Sequence, residues 1–139
     1  MVNLQIASGI EIKYIPKKGY GVFATENFPA GHLIEECRVI KVYNFTNDEW
    51  KKHNEVLKTY VFGFPAKTKI KTAAVIPLGY GCIYNHSITP NATWKNHPLP
   101  NVSAFQFISL REIKAGEEIT TSYGGADYWN NNQAGVFML

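Results

Sequence analysis

The sequence predicts a mainly β protein, built of several short sheets with one or two short helices. Three observations support this class. Short strand-like segments recur along the chain, Gly, Pro and Asn separate them, and a helical start signal is clear at one place. At 139 residues and 45% hydrophobic content, the chain is expected to form a single domain over residues 1–139.

The strands can be assigned in chain order from pattern and composition. Strand-favouring segments lie at residues 10–15, 33–40 and 102–110, and a short apolar piece lies at 20–24. Two similar turns, Ala30–Gly31 and Ala115–Gly116, each precede a strand-like segment. Glycine tolerates the backbone conformations that tight turns require, so each turn is expected to reverse the chain into a strand.

One helix is predicted from its start signal. Thr46 and Glu49 form a capping box, in which each side chain reaches a free backbone amide of the other's residue. Trp50, Leu57 and Val61 then recur on one helical face. We therefore expect a short amphipathic helix after residue 46.

Bulk properties narrow the class of protein. The net charge of +3 is small and scattered, so no direct nucleic-acid contact is required. No apolar run approaches the ~20 residues of a membrane span, which predicts an intracellular protein without membrane association. Cys37 and Cys82 lie far apart in apolar stretches and are expected to be buried free thiols. The four histidines are not clustered, so no metal site is predicted.

A glycine turn near the N-terminus admits more than one interpretation. Gly19-x-Gly21-x-x-Ala24 matches the loose form of the dinucleotide fingerprint, but that motif needs a helix, which Asn27 to Gly31 cannot continue. Alternatively, two glycines let the backbone approach a ligand closely. A plain β-turn, with Tyr20 packed on the core, is the third interpretation.

Two further segments carry more polar chemistry than a core needs. Residues 85–91 read N-H-S-x-x-P-N, and residues 116–124 read G-E-E-I-T-x-x-Y-G. The adjacent His86 and Ser87 cannot form a nucleophile–base pair by themselves, and no nucleophile elbow is present. Taken alone, Asn85 and Asn91 could simply form turns.

Together with Lys18-Gly19-Tyr20-Gly21, these segments resemble the signature of SET-domain protein-lysine methyltransferases. Tyr60-Val61-Phe62 resembles a family element whose tyrosine lines the lysine channel. Residues 79–84 resemble a segment of small viral and bacterial SET proteins, and Asp127-Tyr128-Trp129 resembles a segment of the algal-virus SET methyltransferases. The resemblance covers residues 10–130 and includes no zinc-binding module before or after the domain. It implies a β-clip (SET) fold in which the C-terminal strand passes through a loop as a pseudoknot.

The resemblance also implies a site and a cofactor, S-adenosylmethionine. The catalytic hydroxyl falls to Tyr123. Cofactor binding falls to Lys18, Gly19, Tyr20, Gly21, Asn85, His86 and Trp129. The substrate lysine channel falls to Tyr60, Tyr84, Thr121 and Tyr128. No metal is implied, and Thr121 leaves the number of transferred methyl groups open.

The implied activity is protein-lysine N-methylation, with a basic histone tail as the expected partner and the Polycomb-target lysine of histone three as one candidate. Five acidic residues could contact a basic tail or serve only surface solubility, namely Glu35, Glu36, Glu117, Glu118 and Asp127. The alternative function is a non-catalytic β-clip module that binds a peptide or methyl-lysine. A homodimer is expected by resemblance to viral enzymes, and the location would be the host nucleus for a viral protein or otherwise the cytoplasm.

Overall fold

The computed structural model describes residues 3–44, 60–66 and 73–122. The mainly β prediction is confirmed. The strands in this part of the chain are β1 (Ile10–Ile15), β2 (Gly19–Ala24), β3 (Leu33–Asn44), β4 (Phe62–Phe64), β5 (Ala73–Pro77), β6 (Asn85–His86), β7 (Ala92–Asn96), β8 (Ala104–Ser109) and β9 (Glu118–Thr121). The capping box and most of the helix predicted after it lie outside the described residues.

The strands form two sheets. The first has the order β1-β2-β9-β6 and the second the order β4-β5-β3-β8-β7. Neighbouring strands within both sheets run antiparallel, except that β6 and β9 are parallel. Because parallel neighbours need a long crossover connection, the β6–β9 pair joins segments that are distant in sequence.

The Ala-Gly turn prediction is confirmed at both positions. Gly31 has φ 79° and Gly116 has φ 93°, which is left-handed backbone that favours glycine. Strand β3 begins shortly after the first turn and β9 shortly after the second. These local signals therefore set the start of both strands.

One apolar cluster joins the two sheets. Val22 of β2 and Ile119 of β9 belong to the same buried cluster as Phe105 and Phe107 of β8. Phe107 also stacks on the ring of Tyr84 at a centroid distance of 4.8 Å. This core fixes β9 and the segment before β6 against the larger sheet.

The structure excludes the dinucleotide interpretation, because the fingerprint segment Gly19–Ala24 is strand β2 and no helix begins at its second glycine. Strand β3 extends four residues beyond its predicted end at 40, because residues 41–44 pair with β5. Within the described ranges, no helix is long and apolar enough to cross a membrane.

Candidate active site

The parallel pair of β6 and β9 brings the two polar segments together. Asn85 lies opposite Thr120, and His86 lies opposite Thr121. The backbone amide of Ser87 extends the pairing by donating to the carbonyl of Thr121 at 2.9 Å. Since β9 also pairs with β2, the glycine turn, the asparagine-histidine segment and the strand before Tyr123 share one sheet.

Asn91 holds β9 from the side of the loop after β6. Its side chain is 2% exposed, its Nδ2 donates to the carbonyl of Glu118 at 2.8 Å, and its Oδ1 accepts from the amide of Thr120 at 2.8 Å. The side-chain amide of Asn91 thus bonds two backbone groups of β9, as a neighbouring strand would do. Asn91 is therefore more than a turn former, because it sets the position of the strand that leads to Tyr123.

Glu118 links three segments through its carboxylate. Its Oε1 lies 2.8 Å from the ammonium of Lys18, and its Oε2 accepts from Nδ2 of Asn85 at 2.7 Å. The same Nδ2 also donates to the carbonyl of Tyr20 at 3.1 Å. Glu118 thus connects two residues predicted to bind the cofactor, Lys18 and Asn85, and Asn85 in turn bonds the backbone of a third, Tyr20.

The two glycines of the turn are required for different reasons. A Cβ on Gly21 would lie 2.6 Å from Oε2 of Glu118 and 2.9 Å from Nδ2 of Asn85, so any side chain there would disturb the bond between them. A Cβ on Gly19 would meet nothing within 4 Å, but its φ of +98° disfavours other residues. The first glycine serves the backbone turn and the second leaves room for the polar network.

A cleft with a volume of about 690 Å³ lies over this network. It is lined by Ile12, Lys18, Gly19, Tyr20, Tyr60, Cys82, Ile83 and Asn85. Its size is within the ~300–1,000 Å³ of small-molecule sites, and its apolar walls with a few polar groups are typical of them. The structure thus brings together four of the predicted cofactor residues and Tyr60 of the predicted channel.

Other predicted site residues lie beside the cleft or outside the described residues. Gly21 and the half-buried His86 are adjacent to it but do not line it, and burial lowers the pKa of the His86 imidazole. Thr121 is buried on β9, away from the cleft lining. The residues of the prediction that fall outside the described part are Tyr123, Tyr128 and Trp129.

Tyr84 does not line the described cleft, contrary to its predicted place in the channel. Its side chain is 2% exposed, its ring packs on Phe107, and its hydroxyl donates to Oε1 of Glu35 at 2.8 Å. The physical reason is that the buried carboxylate needs a donor, which the phenol supplies. Tyr84 is instead part of the core beneath the segment that leads to Asn85.

The prediction of Glu35 as a surface acid is also wrong. The side chain is 2% exposed, and its Oε2 accepts from the amide of Tyr80 at 3.4 Å. A Cβ on Gly79 would lie 2.8 Å from that oxygen, so the glycine makes room for the carboxylate. Burial raises the pKa of Glu35, although the hydrogen bonds from Tyr84, Cys37 and Tyr80 oppose the shift.

Sequence reasoning missed Ile12, Ile83 and Cys82 as cleft residues and Glu118 as the centre of the network. Cys37 is buried as predicted, whereas Cys82 is half-buried at the cleft and donates to the carbonyl of Tyr60 at 3.4 Å. Burial raises the pKa of the Cys82 thiol to about 11. The signal for Glu118 was its alternation with the apolar Ile119, which puts Glu118 on the opposite face of β9.

No metal centre accompanies the cleft in the described ranges, since no group of three or more His, Cys, Asp or Glu side chains there is placed to hold a metal ion. The polar side chains among the residues that line the cleft are those of Lys18, Asn85, Cys82 and two tyrosines, Tyr20 and Tyr60. These groups are suited to hydrogen bonding with an organic ligand.

Comparison with known proteins gives a consistent result. The SET domain family model matches residues 19–124. The chain is 35% identical over 121 residues to the Schizosaccharomyces pombe histone-lysine N-methyltransferase that is specific for lysine 37 of histone H3, a match covering 86% of this chain and 76% of that protein. It is 27% identical over 133 residues to the Danio rerio N-lysine methyltransferase KMT5A-A, covering 89% of this chain but only 38% of that protein.

A solved structure is similar as well. A crystal structure of a Plasmodium falciparum protein, to which a histone methyltransferase activity has been ascribed, superposes with a TM-score of 0.67 at 29% identity. The match covers 89% of this chain and 99% of that one. The similarity therefore extends over nearly the whole length of both chains.

Proposed function

This chain belongs to the SET-domain family of protein-lysine methyltransferases, and on that basis we propose that it transfers a methyl group from S-adenosylmethionine to a lysine side chain of a histone tail. One observation carries the proposal. The family match over residues 19–124 includes the glycine turn, Asn85 and β9, which are the parts that the sheet brings together around the cleft.

The described residues fit S-adenosylmethionine. The backbone at Gly19 faces open space, the cleft is large enough, and Asn85 offers a side-chain amide at its wall. We assign cofactor binding to the turn residues Lys18 to Gly21 and to Asn85, with His86 beside them and Trp129 from the C-terminal segment. When bound, S-adenosylmethionine supplies an electrophilic methyl group on a sulfonium centre.

The residues of the chain must hold the substrate lysine as a neutral amine, in line with that methyl group. A lysine ammonium has a pKa of ~10.4 in water and carries no free electron pair for attack. Aromatic walls disfavour the charged form by desolvation and so lower that pKa. We assign these walls to Tyr60, which lines the cleft, and to Tyr128, and we assign the orienting hydroxyl to Tyr123.

We propose a histone substrate because the Schizosaccharomyces pombe relative is specific for lysine 37 of histone H3. The Polycomb-target lysine, which the viral resemblance suggested, is a second candidate. A histone substrate would place the enzyme in a nucleus. We also propose that the chain is related to the small viral and bacterial SET proteins and that it assembles as a homodimer. Light scattering of the purified protein would test the homodimer.

The first experiment is methyl transfer from radiolabelled S-adenosylmethionine to core histones and to histone H3 peptides that carry single target lysines. The matched control is Tyr123→Phe, which removes one hydroxyl. Label on a histone lysine that is lost in the variant would support both the reaction and the substrate class. Equal labelling by the two proteins would contradict the role of Tyr123.

Calorimetry with S-adenosylmethionine separates the enzyme from its alternative. Binding without label on any histone would keep the methyltransferase and exclude histones as its substrates. Absence of binding would contradict the proposal and favour the non-catalytic module that binds a peptide or methyl-lysine, since that module needs no methyl-donor site.

A further inference from the structure

Glu118 lies behind the cleft rather than on its wall, yet it bonds two of the residues that form the wall. We propose that Glu118 is a positioning residue that fixes the orientation of the Asn85 side-chain amide and so decides which ligand group Asn85 recognises. The inference rests on the proposed function, because it takes S-adenosylmethionine as the ligand of the cleft. Glu118 was not among the residues of the predicted site.

The orientation of the amide follows from its two acceptors. The nitrogen Nδ2 carries two hydrogens, and one is directed to Oε2 of Glu118 at 2.7 Å and the other to the carbonyl of Tyr20 at 3.1 Å. A flipped amide would place Oδ1 against these two oxygens, neither of which can donate a hydrogen bond when Glu118 is ionised. Asn85 is therefore held with Nδ2 inward and Oδ1 as its remaining polar atom.

The carboxylate of Glu118 is itself held in place. Its Oε1 pairs with the ammonium of Lys18 at 2.8 Å, which leaves Oε2 for Asn85. The Glu118 side chain is only 18% exposed, so water competes little for these bonds. Gly21 completes the arrangement, because a Cβ at that position would lie 2.6 Å from Oε2.

The consequence for recognition is a hydrogen-bond acceptor at the cleft wall. Oδ1 of Asn85 makes no hydrogen bond to another residue of the described ranges, and the residue lines the cleft. An acceptor at this point selects a ligand group that donates, and the α-ammonium of S-adenosylmethionine is a strong, charged donor. A ligand without an amino-acid part, such as 5′-methylthioadenosine, gains nothing from this acceptor.

Glu118→Gln tests the role, since it keeps the size of the side chain and removes the charge. The glutamine amide can accept from either Lys18 or Asn85, but it presents N–H groups to the other, so Asn85 is no longer held in one orientation. The matched control is Glu117→Gln, one position away, where the carboxylate bonds to Arg111 and to the amide of Lys114.

Calorimetry of each protein with S-adenosylmethionine and with 5′-methylthioadenosine gives the readout. We expect Glu118→Gln to weaken S-adenosylmethionine binding by about 10-fold or more, the size of a charge-assisted hydrogen bond, and to leave 5′-methylthioadenosine binding unchanged. Glu117→Gln should bind both ligands as the unmodified protein does. Equal weakening of both ligands would show a merely structural role and overturn the inference.

A double-mutant cycle with Asn85→Ala completes the test. If Glu118 acts through Asn85, then Glu118→Gln should have no further effect on S-adenosylmethionine affinity once Asn85 is alanine. Additive losses would refute the inference while leaving the proposed function standing. Failure of the unmodified protein to bind S-adenosylmethionine would instead contradict the proposed function itself.

Discussion

Asn91→Asp perturbs the strand that leads to Tyr123 while changing a single side-chain group. In the structure, Oδ1 of Asn91 accepts from the amide of Thr120 and Nδ2 donates to the carbonyl of Glu118, both at 2.8 Å. Aspartate keeps the acceptor but has no hydrogen to donate. The Glu118 carbonyl therefore loses its partner and faces a carboxylate oxygen in a site that is 2% exposed.

The cost follows from the burial of these groups. A buried carbonyl left without its donor costs ~1–3 kcal/mol, and the repulsion between two oxygens adds to it. We expect the variant to lose ~2–4 kcal/mol of unfolding free energy, out of the ~5–15 kcal/mol typical of a domain. We also expect lower methyl transfer per folded molecule, because the backbone of β9 immediately before Tyr123 is no longer fixed.

Asn96→Asp is the matched control. Asn96 makes the same two bonds with the backbone of Ala66, as its Oδ1 accepts at 2.7 Å and its Nδ2 donates at 3.1 Å. The side-chain amide of Asn96 bonds Ala66 rather than β9, so Asn96→Asp should lower stability without lowering activity per folded molecule. Urea unfolding monitored by circular dichroism gives the first quantity, and radiolabelled methyl transfer on the folded proteins gives the second. If the two variants lose activity equally, the reasoning about β9 is refuted.

Three other perturbations follow from the site. Gly21→Ala should weaken S-adenosylmethionine binding in calorimetry, because its Cβ would displace the Glu118–Asn85 bond at an overpacking cost of ~1–3 kcal/mol. Unchanged binding by this variant would contradict the steric argument. Burial raises the pKa of Glu35 above its ordinary 4.5, so its contribution to stability is full below that pH and is lost as pH rises through the raised pKa. Glu35→Gln should remove this part of the pH dependence in urea unfolding between pH 4 and 8, and an unaltered profile would count against it. Tyr123→Phe should lower turnover by about 100-fold or more while S-adenosylmethionine affinity in calorimetry stays near that of the unmodified protein, and a variant with normal turnover would exclude the hydroxyl.

Local features were readable from the sequence because they depend on neighbouring residues. Alternation predicted strand β1 at its observed bounds, and the two Ala-Gly turns predicted where β3 and β9 begin. The motif residues Lys18, Gly19, Tyr20 and Asn85 were assigned to one site by family resemblance, and they do lie together at one cleft. Spacing, turn chemistry and resemblance were sufficient for these features.

The tertiary structure alone decided which of these features meet and which acids are buried. The parallel pairing of Asn85 with Thr120 depends on the chain crossing between distant strands, which no local pattern records. For the same reason, the sequence showed Glu35 and Glu118 as similar acidic residues, although one is enclosed with Tyr84 and the other holds Asn85 behind the cleft. The environment of a carboxylate is set by the strands packed around it, and that packing exists only in the folded chain.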